Sequence, residues 1–527
     1  MEFYLRALWV YLSMIIKIKV NKEVYMYSIG IDIGTTNCKL CVFELLSLKL
    51  IDSYSFATPK INSKYGYDFD IKALYSQLEQ GLIQTINSLS YAEKVKNIVI
   101  ASVGESGVLI NQEGEVVGPC ITWYDTRTQK NLADINQKFS DEELYSITGI
   151  PIHSNYSLTK ILWIRENCNI NLQQVKWLCI AEYIAYKLTN QKRAECSLAS
   201  RTLAYDLKNH CWSEKIQSAF AINHLFADFT QSGKNIGVLT STISSKLNCN
   251  QPIFVAIGGH DHMCGSIAAE LKPGEILNST GTTEGLLLLL EKVNFNKSFL
   301  TSQLSFGKYV KDDLYTLYAS LPSAGYSIEW FKRTFSVTDE NFDLLIESLL
   351  NKLDDINYIK NSLNIFIPHL RGSGPPKRNI DSKGLWYGLG ENSTLADILL
   401  GIFQGLCFEL KNTLITIEQL TVTHHPIIKV IGAAAKNPLW LQLKADILGR
   451  EILSCNIKEA VCKGGVMLAG YENHYLDKNA HIQFDNPIAR YIPNPKMTEY
   501  YHQIFADYYQ PFFEFKTSLE FKLKKDN

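Results

Sequence analysis

The sequence lacks the features by which several classes of protein are recognised. No charge of one sign dominates, because 52 lysines and arginines stand against 53 aspartates and glutamates. Glycine (31 residues) and proline (15 residues) are sparse in a chain of 527. This composition excludes a protein that binds nucleic acid through bulk charge, an acidic disordered chain and a low-complexity scaffold. The chain also contains no GxxxxGK followed by Ser or Thr and no GxGxxG, which excludes a P-loop and a dinucleotide-binding fingerprint.

Cysteine is present but lacks the pattern of a disulfide framework. The 12 cysteines are scattered, and most lie among apolar neighbours, as Cys179 and Cys407 do. This usage indicates reduced thiols in a hydrophobic core and therefore a cytoplasmic protein. Cys38 and Cys41 form a CxxC, but no second pair follows at zinc-finger spacing. We interpret them as two residues of one strand rather than as metal ligands.

The first part of the chain carries a short apolar run at residues 7–16. It is too short to span a bilayer, which takes about 20 residues. Lysines follow it where a signal peptide would have a small-residue cleavage site. We therefore expect no membrane partner and interpret residues 1–26 as an N-terminal extension ahead of the folded domains.

Apolar strands and amphipathic helices alternate along the rest of the chain, which is typical of an α/β protein. Residues 27–33 and 39–43 are predicted strands joined by Gly34-Thr35-Thr36, and the tight turn predicts a hairpin. Gly-Thr-Thr recurs between apolar runs at residues 281–283, which indicates two related domains. We expect domains at 27–272 and 273–475 and a C-terminal, largely helical tail at 476–527. Further predicted elements are strands at 96–103, 252–257 and 428–431 and helices at 71–90, 394–420 and 436–449.

The first candidate for chemistry is the turn of the predicted hairpin. Gly34 would let the backbone approach a ligand closely, and the hydroxyls of Thr35 and Thr36 with the turn N–H groups could hold phosphate oxygens. Lys39 could add a positive charge, and Asp32, at the strand end, is a natural ligand for Mg²⁺. The alternative is an ordinary hairpin with hydroxyls in its turn.

The second candidate is Gly258-Gly259-His260-Asp261-His262, which follows a predicted strand. A carboxylate after two glycines at a strand end is suited to face a cleft, where Asp261 could accept a proton from a hydroxyl nucleophile. The two histidines could instead bind a metal ion, although no third ligand is evident nearby. A structural turn is the remaining alternative.

Three further segments place polar or small residues at predicted strand ends. The segment 123–127 (WYDTR) offers aromatic faces, a carboxylate and a guanidinium, which suit either a sugar or a structural Asp–Arg pair. Glu105 follows the predicted strand at 96–103, and strand ends are where open α/β sheets place ligand groups. The small residues at 432–435 leave room for a flat group such as adenine or allow a helix to pack closely.

In their order and spacing these segments resemble the FGGY family of carbohydrate kinases, within the actin-like ATPase superfamily, over about residues 27–475. The resemblance rests on YSIGIDIGTTNCKLCVFE, ITWYDTRT, VAIGGHDHMCGSIAAELKPGE, STGTTE, SAGYSIEWF and VIGAAAKNPLWLQLKADILGREI. It implies two RNase H-like (actin-like ATPase) domains with ATP and a sugar meeting in the cleft between them. It also implies that Asp261 is the catalytic aspartate.

The resemblance carries further residues over by position. The expected ATP contacts are Thr35, Thr36, Lys39, Gly281, Thr282, Gly325, Glu329, Gly432, Ala433 and Asn437. The expected sugar contacts are Gly104, Glu105, Trp123, Asp125, Arg127, His260 and His262. Mg²⁺ is expected near Asp32. Three departures from the family pattern stand out: Ala433 replaces a second glycine, Gln404 replaces a common glutamate, and histidines flank Asp261, which leaves the substrate open.

The expected activity is transfer of the γ-phosphoryl group of Mg·ATP to a hydroxyl, at the chain end, of a ketose or polyol. Three alternatives stay open: a non-catalytic ATP- or sugar-binding sensor on the same fold, an actin-like polymer subunit, and a kinase of a non-sugar polyol. The expected partner is a small-molecule sugar or polyol and not nucleic acid. A homodimer is compatible with the resemblance.

Overall fold

The structure, a computed structural model, describes residues 26–63, 65–89, 94–477 and 489–525. The predicted N-terminal extension lies outside the described residues, apart from Met26. Within the described ranges two mixed β-sheets of six and seven strands are surrounded by helices. This arrangement confirms the α/β class.

The first sheet begins with the predicted hairpin. Its strands are β1 (Tyr27–Ile33), β2 (Asn37–Glu44), β3 (Leu50–Ala57), β4 (Val95–Ser102), β5 (Asn235–Val238) and β6 (Phe254–His260). They lie in the order β5-β6-β4-β1-β2-β3, with β1 antiparallel to β2 and parallel to β4, and β4 parallel to β6. Cys38 and Cys41 are buried residues of β2, as interpreted from the sequence. The strand β6 continues to His260, beyond its predicted end at Ile257, because a bulge between Ile257 and Gly259 absorbs one residue and the pairing resumes.

The second sheet repeats the same plan. Its strands are β7 (Ile276–Thr280), β8 (Glu284–Leu290), β9 (Ser305–Lys308), β10 (Tyr315–Leu321), β11 (Ile427–Gly432), β12 (Glu451–Ser454) and β13 (Ala489–Tyr491). They lie in the order β9-β10-β8-β7-β11-β12-β13. As in the first sheet, an antiparallel pair, β7 and β8, is followed by parallel neighbours, β11 and β12. Both Gly-Thr-Thr turns therefore join the first antiparallel pair of their own sheet, as their repetition predicts.

The helices pack on both sheets. They are α1 (Ile71–Ser88), α2 (Leu132–Lys138), α3 (Asp141–Thr148), α4 (Ser157–Cys168), α5 (Ile180–Thr189), α6 (Cys196–Ala199), α7 (Glu214–Phe220), α8 (Ser241–Lys246), α9 (Asp261–Ala268), α10 (Lys297–Thr301), α11 (Gly325–Thr334), α12 (Asp339–Leu350), α13 (Ile356–Asn361), α14 (Leu395–Thr421), α15 (Pro438–Leu448), α16 (Ala460–Glu472), α17 (Pro495–Ile504) and α18 (Gln510–Lys525). The predicted helices at 71–90, 394–420 and 436–449 correspond to α1, α14 and α15. By length and composition α14 could cross a bilayer, but most of it is buried in the core of the second domain.

Smaller elements connect these helices and strands. The short strands are Lys60–Ser63, Gly66–Phe69, Gly107–Ile110, Val116–Val117, Cys120–Ile121, Lys176–Cys179, Ala194–Glu195, Tyr205–Asp206, Cys211–Trp212, Phe229–Thr230, Ile365–Ile367 and Leu385–Tyr387. Short 3₁₀ helices cover Thr126–Asn131, Leu172–Gln174 and Ala433–Lys436, and a π-helical turn covers Phe505–Tyr509.

The two domains meet through a pair of helices. The helix α16 packs on β1, β2, β4 and β6 of the first sheet and also on α9. A Cβ at Gly464 would lie 1.8 Å from the carbonyl oxygen of Cys264, so only glycine allows the backbones of α16 and α9 to approach this closely. The same pair fixes the N-terminus of α9, where Asp261 is the first helical residue.

The C-terminal tail is helical in α17 and α18 and belongs to the core of the second domain. Tyr501 and Tyr509 are completely buried in that core. The side-chain amide of Gln404, in α14, donates a hydrogen bond of 3.0 Å to the hydroxyl of Tyr501. The replacement of a common glutamate by Gln404 is thus accommodated by a buried, neutral pair.

Candidate active site

An open cleft with a cavity volume of about 170 Å³ lies where the carboxyl ends of β1, β4 and β6 face β9 and β10. Seven of the predicted site residues line it, from both the phosphate and the sugar sets. The lining residues are Thr35, Val103, Gly104, Glu105, Trp123, Asn155, Tyr156, Arg201, His260, Asp261, His262, Thr283, Ser305, Tyr318, Ser320 and Arg378.

Asp261 lines this cleft from the N-terminus of α9. Its Oδ1 lies 2.9 Å from Nδ1 of His260 and accepts a hydrogen bond of 2.6 Å from the backbone N–H of His262. Burial disfavours the carboxylate, but the two histidines and these hydrogen bonds outweigh burial and lower the pKa of Asp261 to about 2. The side chain is therefore ionised at neutral pH and able to accept a proton.

A buried network sets the direction of the Asp261 backbone. The backbone N–H of His260 donates to Oγ of Ser197 at 2.9 Å, and that hydroxyl donates to Glu195 at 2.6 Å. Gly259 has φ of +119°, and a Cβ there would lie 2.6 Å from Oγ of Ser197. Glycine is thus required where β6 bends into α9.

The two histidines have different surroundings. His262 Nε2 lies 3.3 Å from the hydroxyl of Tyr318, whereas His260 faces Asp261. Burial lowers the pKa of His262; the pKa of His260 is raised because Asp261 outweighs burial. Among the described residues no three His, Cys, Asp or Glu side chains group as a metal site. The histidines are therefore placed to contact a bound molecule and to orient Asp261.

The predicted sugar side of the cleft contains an ion pair. Glu105 is buried with φ of +65°, and its Oε1 accepts a hydrogen bond of 2.7 Å from Nε of Arg201. The guanidinium of Arg201 lies 5.0 Å from the ring centre of Tyr156. A Cβ at Gly104 would lie 2.7 Å from Cδ2 of His260. Gly104 therefore leaves the space that the His260 ring occupies.

Asp125 and Arg127 are not among the residues that line the cleft. Arg127 pairs with Asp125 at 2.9 Å and with Asp68 at 2.9 Å, and all three side chains are buried. The backbone N–H of Tyr67 also donates to Asp125 at 2.8 Å. The structure thus favours the structural pair that the sequence left open for these two residues. Trp123 does line the cleft.

A hydrogen bond connects the first predicted phosphate turn to the predicted sugar side of the cleft. Nε1 of Trp123 donates a hydrogen bond of 2.9 Å to Oγ1 of Thr35. Thr36 is exposed in the turn. Lys39 lies 2.7 Å from Oε2 of Glu459, so its charge is already paired at the base of the turn. A phosphate group would have to share Lys39 with this carboxylate.

Asp32 has an environment that fits a cation. One carboxylate oxygen, Oδ1, is buried and has no hydrogen-bond partner within the described ranges. Burial, and then the charge of Asp261, raise the pKa of Asp32 to about 8, although Lys39 acts in the opposite direction. Mg²⁺ is bound in proteins by one or two carboxylates together with substrate phosphates. An orphaned carboxylate beside a phosphate turn therefore fits this ion.

The second turn is held by a helix start. The N–H groups of Gly325 and Tyr326, at the N-terminus of α11, donate to the carbonyls of Gly281 and Thr282 at 3.0 and 3.1 Å. A Cβ at Gly325 would lie 2.5 Å from the Gly281 oxygen. Glu329 is exposed on the same helix. These contacts hold the turn 281–283, of which Thr283 lines the cleft, whereas Gly281, Thr282, Gly325 and Glu329 are not among the lining residues.

The predicted adenosine segment follows β11. Gly432 has φ of +88°, and a Cβ there would lie 2.2 Å from the carbonyl oxygen of Thr280. Ala433 is exposed, so its methyl group does not crowd the protein core. Oδ1 of Asn437 accepts a hydrogen bond of 3.1 Å from the N–H of Trp440 and caps α15. None of the three lines the open cleft.

Sequence reasoning missed nine of the sixteen lining residues. Five of the nine carry an amide, a phenol or a guanidinium, and they are Asn155, Tyr156, Arg201, Tyr318 and Arg378. Each comes from a connecting segment or from the second sheet, and none belongs to a motif. Only the long-range packing that brings these segments to one cleft could identify them.

Known proteins are similar to this chain in sequence and in fold. Residues 27–268 match the N-terminal domain of the FGGY family of carbohydrate kinases, and residues 276–472 match its C-terminal domain. The xylulose kinase of Bacillus subtilis (strain 168) is 28% identical over 511 residues, which are 94% of this chain and 99% of that protein.

Two solved structures from Lactobacillus acidophilus share the fold. A ligand-bound xylulose kinase has a TM-score of 0.83 at 21% identity, and the match covers 95% of this chain and 100% of the kinase chain. A gluconate kinase has a TM-score of 0.83 at 20% identity, and the match covers 94% of this chain and 99% of the kinase chain. The likeness in fold extends over both domains.

Proposed function

The chain belongs to the FGGY family of carbohydrate kinases, enzymes that transfer a phosphoryl group to an alcohol, and on this premise we propose that it transfers the γ-phosphoryl group of ATP to a hydroxyl of a ketose or polyol. The observation that carries the proposal is the position of Asp261, an ionised carboxylate in one cleft with Thr35 of the first phosphate turn and Thr283 of the second. The cytoplasmic location of the protein and its assembly into a homodimer stay predictions.

In the proposed reaction the acceptor hydroxyl lies beside Asp261 and attacks the γ-phosphorus of ATP. The new bond joins this oxygen to phosphorus, the bond to the β,γ-bridging oxygen breaks, and ADP leaves. Asp261 accepts the hydroxyl proton. Because a carboxylate with a pKa of about 2 is a weak base, the proton is transferred late, as the new bond forms. The main contributions of Asp261 are then orientation and charge.

The two Gly-Thr turns are proposed to hold the phosphate groups through backbone N–H groups and hydroxyls. Asp32 would hold Mg²⁺, which neutralises phosphate charge when it is bound. The Trp123–Thr35 hydrogen bond connects the acceptor side to the first turn, so that the two substrates are aligned by one rigid contact. Exclusion of water from the cleft would prevent hydrolysis of ATP.

The test is ADP release from Mg·ATP with a panel of ketoses, polyols and aldonates, measured for the wild type and for Asp261→Asn. We expect acceptor-dependent ADP release and a fall in kcat of about 10²–10⁴-fold in the variant. Asp507→Asn is the matched control, because Asp507 is exposed on the C-terminal helices and should leave kcat unchanged. Full activity of Asp261→Asn would refute the assignment of the base.

A further inference from the structure

The cleft contains a cation without a counterion. Arg378 lines the cleft, and within the described part of the chain no carboxylate forms an ion pair with it and no acceptor bonds its guanidinium. The other cleft arginine, Arg201, is already paired with Glu105 at 2.7 Å. Arginine is nearly always charged, and a buried charge is costly unless it has a partner. The unpaired guanidinium thus marks a place where a bound molecule would supply negative charge.

The surroundings of Arg378 increase this positive potential. Burial and the nearby Arg201 lower its pKa from the ordinary value, although Tyr156, Tyr318 and Glu105 act in the opposite direction. Burial, and then the charges of Arg378 and of the buried Lys160, lower the pKa of His153 to about 4. Lys160 itself donates to the backbone carbonyls of Ser154 and Asn155 and not to a carboxylate. Glu105 therefore acts on Arg201, Arg378 and Lys160, and its described ion pair is with Arg201.

Arg378 lies close to the Glu105–Arg201 pair. The titratable groups that act on its charge are Tyr156, Arg201, Tyr318 and Glu105, and all four line the cleft together with Arg378. In the proposed function this is the acceptor side of the cleft.

The loop that carries Arg378 is held in place by the C-terminal helix. The backbone N–H of Lys383 and the hydroxyl of Ser382 both donate to Glu520, each at 2.9 Å. Lys516 pairs with Glu520 at 2.7 Å. The start of the loop is closed by a hydrogen bond of 2.9 Å from the N–H of Ser373 to the carbonyl of Asn379. A guanidinium on such a supported loop is preorganised for a ligand.

We propose that the acceptor carries an anionic group, a carboxylate or a phosphate ester, which binds between Arg378 and Arg201 while a hydroxyl at the other end of the molecule faces Asp261. The inference rests on the proposed function and narrows its substrate class to polyhydroxy compounds that carry an acidic group. A planar guanidinium can donate two parallel hydrogen bonds to such a group, and Arg378 has both edges available.

The experiment compares acceptors that are matched except for charge. The pairs are D-gluconate with D-glucitol and D-xylonate with xylitol; D-glucitol 6-phosphate and D-xylulose complete the panel. Binding of each compound is measured by calorimetry and turnover by ADP release, for wild type, Arg378→Gln and Lys377→Gln. Lys377 is the matched control: it is the preceding residue of the same loop and is exposed, and its ammonium lies over the Phe513 ring.

We expect the wild type to bind the anionic member of a pair at least about 10-fold more tightly, and Arg378→Gln to lose about 10- to 100-fold of that affinity, the contribution of one or two charge-assisted hydrogen bonds. The KM for ATP should change less than about twofold, and Lys377→Gln should behave as wild type. Preference for the phosphate ester over the aldonates would identify the anion as a phosphate.

Two results would overturn the inference. One is tighter binding of neutral acceptors with no effect of Arg378→Gln; the other is a rise in the KM for ATP in Arg378→Gln with every acceptor, which would assign Arg378 to the nucleotide. Failure of the proposed function is a different result, because an anion could bind through Arg378 without any acceptor-dependent ADP release.

Discussion

Replacing Asp32 by asparagine should stabilise the ligand-free protein while it abolishes phosphoryl transfer. The carboxylate has a buried oxygen without a partner, and burial together with Asp261 raises its pKa to about 8. The folded state therefore disfavours the ionised form that Mg²⁺ would require. An uncharged amide of the same size removes this penalty and also removes the anionic ligand.

The magnitude and its sign follow from the shift in pKa. Below the ordinary value of 3.8 the carboxyl group is protonated in both the folded and unfolded states, and no penalty exists. As the pH rises, the unfolded chain ionises while the folded protein resists, so the penalty grows by about 1.4 kcal/mol per pH unit until the folded pKa of about 8. The upper limits are about 3 kcal/mol at pH 6 and about 5 kcal/mol at pH 8.

The assay is thermal unfolding between pH 5 and pH 9 in the presence of a chelator. We expect Asp32→Asn to melt at least about 2 °C above the wild type at pH 8, and the difference to narrow towards pH 5. Addition of Mg·ADP should raise the melting temperature of the wild type more than that of the variant. Asp507→Asn should show no such dependence on pH. The reasoning would be refuted if Asp32→Asn were less stable than the wild type at pH 8, or if the difference in melting temperature did not change with pH.

Two further substitutions test the acceptor side of the cleft. Gly104→Ala places a Cβ 2.7 Å from the ring of His260. Because the ring must then move and shift Asp261, we expect kcat/KM for the acceptor to fall about 10²-fold. An unchanged kcat/KM would contradict the role of this contact. Glu520→Gln weakens the two hydrogen bonds of 2.9 Å that Glu520 accepts from the hydroxyl of Ser382 and the backbone N–H of Lys383. In steady-state kinetics we expect the KM for the acceptor to rise about tenfold with kcat nearly unchanged. A selective rise in the KM for ATP would contradict an effect on the acceptor side.

Local patterns in the sequence were sufficient for the elements nearest to the cleft. The run 27–43 predicts the β1–β2 hairpin because apolar strands flank a glycine-bearing turn, and the structure confirms it. The repeated Gly-Thr-Thr predicts a second such turn, and the β7–β8 pair confirms it. The end of β6 was predicted three residues early, since a bulge that restores strand pairing depends on neighbours in β4.

Local patterns could not distinguish the two interpretations of Asp125 and Arg127. The same residues can bind a sugar or form a structural pair, and the choice depends on Asp68, which is distant in the sequence. Gly259 shows the opposite case. Its position before Asp261 suggested a residue aimed into a cleft, and its positive φ and lack of space for a Cβ give the physical reason.

The sequence by itself determined the α/β class, the two related domains, the carbohydrate kinase family and the position of Asp261 beside a strand end, because short local motifs and their order along the chain carry each of them. Only the tertiary structure decided which charges share the cleft. Arg201 comes from the segment after α6 and pairs with Glu105, whereas Arg378 comes from a loop supported by the C-terminal helix and lines the same cleft. Electrostatic interactions act through space and not along the chain, so this part of the site had no sequence signal.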